Sequence, residues 1–224
     1  MFKLNEYPNF NALSQALTKQ WLTVINNTPA NQPCSFALAG GTTPEPLYRQ
    51  FDSLFAASKP RPIQLVATDE RWVPDSDPQS NEGLFQRCFT QSASHCHLLS
   101  LKNNQPDPSA AIAEINQRLH ENINHPFSAV LSGMGADGHV ASLFPDAPQL
   151  LINDASVNCV AALHPETRQA RISLSFSRLL NTKSIWIVIT GTKKREVLEH
   201  ASPQTPIGAL LTAARCDVDV FWCP

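Results

Sequence analysis

Apolar residues at Phe10, Leu13, Leu17, Trp21 and Val24 recur every three or four positions, a spacing that predicts an amphipathic first helix. A short apolar run over 34–39, closed by Gly40-Gly41, reads as a buried strand. Pro44-Glu45 then opens a second helix with Leu47, Phe51, Leu54 and Phe55 on one face, and prolines 44 and 46 suit its first turn, where the N–H is unpaired anyway. The same alternation continues. Positions 63–68 predict a strand, 81–89 a helix after a Pro-rich loop, and Ile112, Ile115, Leu119 and Ile123 another helix that leads into a strand over 127–132. Later, 157–163 and 172–174 are weaker strand patterns, whereas 184–190 is a strong one running into a helix over 193–201.

Strands alternating with helices in this way predict an α/β fold: an open, mostly parallel, doubly wound, Rossmann-like sheet with helices on both faces. No internal repeat or long linker divides the chain, so a single domain over 1–224 is expected. A hydrophobic fraction of 42% in 224 residues is enough for a substantial core. No stretch approaches the ~18 continuous apolar residues of a membrane span.

Charge narrows the function. With 17 Lys+Arg against 19 Asp+Glu and no basic run, wholesale nucleic-acid binding is not expected. Met1 to Pro8 lacks the pattern of a secretory signal, so a cytoplasmic protein is expected. Six cysteines, at 34, 88, 96, 159, 216 and 223, form no C-x-x-C pair and read as reduced thiols. His95-Cys96-His97 with Cys88 fits no common zinc spacing, and no metal is expected.

Candidate chemistry collects in polar turns after four predicted strands: Gly40-Gly41-Thr42-Thr43, Asp69-Glu70-Arg71, Gly133-Met134-Gly135-Ala136-Asp137-Gly138-His139, and Gly191-Thr192-Lys193-Lys194. Ligands of open parallel sheets bind outside the carboxyl ends of the strands, so the four turns are expected to share one cleft. Six of the eight glycines lie in them, which suggests backbone close to a ligand. The first turn offers backbone N–H groups and two hydroxyls where a phosphate would bind; Thr42 or Thr43 serves equally well as a helix cap. Lys194 and Arg171 are candidates for the matching charge, while Arg168 reads as solvated surface.

The third turn formally matches the dinucleotide fingerprint G-x-G-x-x-G. Asp137 would oppose a pyrophosphate, however, and Pro145 and Pro148 interrupt any following helix, so nucleotide binding is not expected. The turn instead presents Asp137 beside His139, a carboxylate that can orient an imidazole base. Arg71 is a candidate for binding an oxyanion or phosphate. Glu70 reads as one half of an internal ion pair with an arginine. No G-x-S-x-G elbow or H-E-x-x-H occurs.

The blocks Ala39-Gly40-Gly41-Thr42-Thr43-Pro44, Thr68-Asp69-Glu70-Arg71-Trp72-Val73-Pro74 with Ser80-Asn81, Gly133 through Pro145, and Arg171-Ile172-Ser173-Leu174 resemble the 6-phosphogluconolactonase family, in the form related to glucosamine-6-phosphate deaminase. The deaminases carry Asn-Glu-Pro where this chain has Leu143-Phe144-Pro145, and Phe144 cannot transfer a proton. His164-Pro165 stands where many family members have Lys-Pro, and Glu82-Gly83 replaces a usual aromatic after Ser-Asn. The resemblance implies hydrolysis of 6-phospho-D-glucono-1,5-lactone without a cofactor, by a monomer or weak homo-oligomer whose partner is a small phosphorylated sugar lactone. It implies catalytic roles for His139, Asp137 and Arg71, and substrate contacts from Gly40, Gly41, Thr42, Thr43, Asp69, Gly135, Arg171 and Lys194. The Pro-rich segment 73–79 is a candidate lid.

Overall fold

A computed structural model describes residues 2–58, 60–145, 147 and 154–224. Numbered in chain order, seven strands form one sheet: β1 (Lys3–Glu6), β2 (Ser35–Leu38), β3 (Ile63–Ala67), β5 (Cys96–Leu98), β6 (Ala129–Ser132), β9 (Ser184–Thr190) and β10 (Asp217–Cys223). A second sheet of three strands joins β4 (Asp69–Arg71), β8 (Ala170–Leu174) and β7 (Cys159–Leu163). The helices are α1 (Phe10–Asn27), α2 (Glu45–Ala57), α3 (Asn81–Cys88), α4 (Pro108–Asn122), α5 (Phe176–Leu180), α6 (Thr192–Glu199) and α7 (Pro206–Ala213). No helix among the described residues is long and apolar enough to cross a membrane.

Every pairing in the large sheet is parallel, in the order β1-β10-β9-β6-β2-β3-β5. From β2 the chain first moves outward through β3 to β5, then returns to the other side of β2 at β6 and continues through β9 to β10. Because such crossovers are right-handed, this reversal puts α2 and α6 on opposite faces. It also opens a crevice between the ends of β2 and β6, the topological switch point. The expected doubly wound fold is therefore present. The two weaker strand patterns lie outside its main sheet, in the small antiparallel one.

One residue joins the sheets. The N–H of the fully buried Thr68 donates to the Leu38 carbonyl at 2.9 Å, while its own carbonyl accepts the Leu174 N–H at 2.8 Å. One side of this peptide neighbourhood thus belongs to the parallel sheet and the other to the antiparallel sheet.

The core forms around Trp21 of α1, which stacks on Phe51 of α2 at a centroid distance of 3.7 Å and meets Phe36 of β2 at 5.4 Å. All three rings are fully buried, each contributing roughly 1.5–3 kcal/mol of transfer free energy or more. From the same helix, the buried Tyr48 hydroxyl donates to the Ala39 carbonyl at 2.5 Å. Core packing by α2 thereby sets the position of the backbone just before Gly40.

Candidate active site

The four polar segments do converge, although one of them is not a turn. A cleft of about 330 Å³ is lined by Gly40 to Pro44 after β2, by Asp69 and Arg71, by Gly133 to Gly135 and His139 after β6, and by Lys194 after β9, with Arg171 entering from β8. Leu131 and Val188 supply an apolar floor, and Asn81 enters from α3.

At the Gly40–Thr43 turn, the α2 N-cap is Pro44 and no side chain caps the helix, so Thr42 and Thr43 do not play the capping role. Gly41 has φ +93°, a left-handed conformation that other residues rarely adopt. The neighbouring α6 begins after Gly191, with φ +80°, and has no acidic residue in its first turn. Two helix N-termini, each a region of partial positive charge, thus border the cleft.

His139 Nδ1 lies 2.6 Å from Asp137 Oδ1, which also accepts the His139 backbone N–H at 3.2 Å. Burial opposes ionisation of Asp137, yet the His139 N–H, charge and ring together hold its carboxyl below the usual carboxylate range. The tautomer donating from Nδ1 leaves Nε2 with the free lone pair. A Cβ at Gly135 would come within 2.2 Å of His139 Nδ1 and 2.5 Å of Asp137 Oδ1, so the glycine is what lets this pair fold back on its own turn. The turn closes by a 2.9 Å bond from the Gly135 N–H to the His139 carbonyl, and no helix follows it among the described residues. Pro148, the second expected helix breaker, lies outside the described residues.

Asp69, Glu70 and Arg71 form strand β4 rather than a turn. Its register places Asp69 opposite Ser173, Glu70 opposite Ile172 and Arg71 opposite Arg171. Asp69 reaches the cleft, but its Oδ2 accepts the Ser142 hydroxyl at 2.6 Å and lies 3.7 Å from Arg171 Nη1, so the carboxylate mainly holds that guanidinium. Burial, partly offset by Asp69 and reinforced by the nearby Arg71 charge, lowers the pKa of Arg171. Both arginines carry a buried Nε without a partner among the described residues. Those Nε atoms are closed off from the cleft, but both arginines line it, and two cations facing one another suit an anion.

The expected ion pair of Glu70 with an arginine is corrected. Its fully buried carboxylate lies 3.4 Å from Lys102 Nζ, and Arg71 supplies only a backbone N–H, at 2.7 Å. Arg71 is thereby free to point elsewhere.

Lys194 is half-buried against the cleft, and burial lowers its pKa. Neither a hydrogen bond nor an ion pair ties its ammonium to another described residue. Arg168, in contrast, is exposed with φ +56° and lies outside the cleft lining. His164 also lies outside that lining; its Nδ1 accepts the Glu166 and Thr167 N–H groups at 3.3 and 3.2 Å. The buried Phe144 ring stands between the two imidazoles, 5.0 Å from His139 and 5.2 Å from His164. Segment 73–79 borders the site through the Gln79 carbonyl, which accepts from Arg71 Nη1 at 2.7 Å. No cluster of three or more His, Cys, Asp or Glu suited to a metal occurs among the described residues.

Sequence reasoning gave Asn81 no site role, reading it as a helix start and as part of the Ser80-Asn81 block. The preceding Ser80 caps α3, accepting the Gly83 N–H at 3.0 Å, and this fixes Asn81 as the first helical residue facing the cleft.

The fold and the cleft define an open α/β protein with an arginine- and lysine-lined pocket beside a His–Asp pair. The family model for glucosamine-6-phosphate isomerases/6-phosphogluconolactonase matches residues 8–222, and the chain belongs to that family. A 6-phosphogluconolactonase of Caulobacter vibrioides is 36% identical over 197 residues, covering 84% of this chain and 82% of the relative. One of Mesorhizobium japonicum is 31% identical over 231 aligned positions, covering 100% and 96%. The crystal structure of a 6-phosphogluconolactonase from Shewanella baltica superposes with a TM-score of 0.89 at 28% identity, covering 100% of this chain and 98% of that one.

Proposed function

We infer that this chain hydrolyses 6-phospho-D-glucono-1,5-lactone to 6-phospho-D-gluconate, the second step of the oxidative pentose phosphate pathway. The observation that carries the reading is the His139–Asp137 pair at 2.6 Å beside a cationic cleft, in a chain of this family.

Nε2 of His139 takes a proton from water as its oxygen adds to the lactone carbonyl carbon. Asp137, accepting from Nδ1–H, balances the imidazolium that results. The carbonyl oxygen becomes an oxyanion facing the Arg71–Arg171 pair. When the tetrahedral intermediate collapses, the C1 bond to the ring oxygen breaks and the imidazolium returns its proton to that oxygen, which leaves as a hydroxyl. The new carboxylic acid ionises to solvent. The Gly40–Thr43 turn and Lys194 hold the 6-phosphate, and this remote binding energy orients the carbonyl over Nε2.

Phe144 favours hydrolysis over amino-sugar ring chemistry. It places a buried aromatic ring 5.0 Å from His139 where a second proton-transfer group would be needed.

The test follows decay of freshly generated lactone, with spontaneous hydrolysis subtracted and His139→Ala as control. Protein-dependent decay that largely disappears in the variant is expected. No acceleration by folded wild-type protein overturns the reading.

A further inference from the structure

Asn81 touches three parts of the cleft at once. Its Nδ2 donates to the Asp69 carbonyl at 2.6 Å, and its Oδ1 accepts from Arg71 Nη1 at 3.1 Å. The amide also lies flat on Gly40, where a Cβ would come 1.7 Å from Oδ1. The residue is only 2% exposed, so the amide has little freedom to turn.

Beneath it, the Glu70 carboxylate collects donors from both ends of the segment. Oε1 accepts the Arg71 and Asn81 N–H groups at 2.7 and 2.9 Å, and Oε2 accepts the Ser80 hydroxyl at 2.9 Å and the Glu82 N–H at 2.7 Å. A negative charge at the start of α3 complements the exposed N–H groups and dipole of that helix end. The backbone that carries Asn81 is consequently clamped to the strand that carries Arg71.

Arg71 has two tethers, the Asn81 amide and the Gln79 carbonyl, and both use Nη1. Nε is buried and closed to a ligand, so Nη2 is the nitrogen that remains for one. A single tether lets a guanidinium rotate about it, while two acceptors on one nitrogen fix the plane.

We propose that Asn81 is the positioning residue for Arg71: seated on Gly40 and clamped from below by Glu70, its amide fixes the guanidinium plane towards the reacting carbonyl. It also couples the phosphate-binding turn to the oxyanion-binding strand, since one amide contacts both. The proposal rests on the role given to Arg71 above.

The experiment is a double-mutant cycle in the lactonase assay, with Asn81→Ala, Arg71→Ala and the pair. Asn81→Ala is expected to lower kcat by roughly 10- to 100-fold, the cost of a displacement of about an ångström, with KM changing less. In the Arg71→Ala background the same substitution is expected to cost less than about twofold, because groups that act as a unit are not additive. Equal losses in both backgrounds would show that Asn81 serves the fold generally and would overturn the proposal. If Arg71→Ala alone retains full activity, it is the assigned role of Arg71 that fails, a separate result. Thermal melts accompany each variant, and Asn81→Ser runs through the same cycle should the alanine variant not fold.

Discussion

Arg71 and Arg171 are directly opposed residues of the antiparallel β4–β8 pair. Like charges so placed disfavour the sheet, and Arg171 is only 9% exposed. The arrangement is costly to the fold and useful to an anionic intermediate. Arg171→Met is expected to lower kcat/KM by about 10²- to 10³-fold, as loss of an oxyanion donor does, and also to lower Tm, because the buried Asp69 carboxylate loses the guanidinium beside it. Adding Asp69→Asn removes that stranded charge and is expected to recover Tm without recovering activity; activity that returns together with Tm would assign Arg171 to stability instead.

Gly135→Ala would drive a methyl into the His139–Asp137 pair. Activity is expected to fall towards that of His139→Ala while circular dichroism stays native. Retained activity would show that the pair has room to shift and that its 2.6 Å bond is dispensable.

Lys194 faces the cleft with an unengaged ammonium. Lys194→Met is expected to raise KM roughly tenfold, the worth of a hydrogen bond to a charged group, with kcat little changed. Competitive inhibition by inorganic phosphate should weaken in parallel. A fall in kcat at constant KM would move Lys194 from phosphate binding to the reacting end.

Glu82 gives a pH-dependent stability. Burial, opposed by bonds from the Ser100 hydroxyl and Leu101 N–H, pushes its carboxyl from 4.5 up to about 7. Between those values the folded state keeps a proton that the unfolded chain has released, so stability falls as pH rises through this window, by up to about 3 kcal/mol. Glu82→Gln keeps an acceptor for Leu101 and carries no charge. Its Tm is expected to exceed that of the wild type at pH 8 and to match it at pH 4.5; equal melting at both would refute the assignment.

How much of this the sequence disclosed depended on the kind of signal. The strand–turn–helix units around Gly40 and Gly191 were legible because apolar runs and helical spacing are local. So was the convergence of the three glycine turns, which follows from the ligand rule for parallel sheets. Strand β4 was not. All three of its residues are polar, and it is a strand because Arg171 to Ser173 pair with it and its buried groups are satisfied by bonds to Ser80, Asn81 and Ser142. Tertiary context overrode composition. The role of Asn81 was hidden for a related reason: its partners Gly40, Asp69 and Arg71 come from other elements, and only the fold brings them together. In β1, β5 and α7, short length left little periodicity to read.

The seam at Thr68 makes the small sheet a lever. Its three-residue arm from Asp69 to Arg71 spans roughly 10 Å at the usual rise of a strand, so a twist of about 10° at that one peptide sweeps the guanidinium through nearly 2 Å. His139 lies on the loop after β6 of the other sheet, and Ser142, three residues further on, bonds the Asp69 carboxylate of the arm. A swing at the joint is therefore resisted at two points, by the Ser142 hydroxyl and by the Asn81 amide that holds the Asp69 carbonyl.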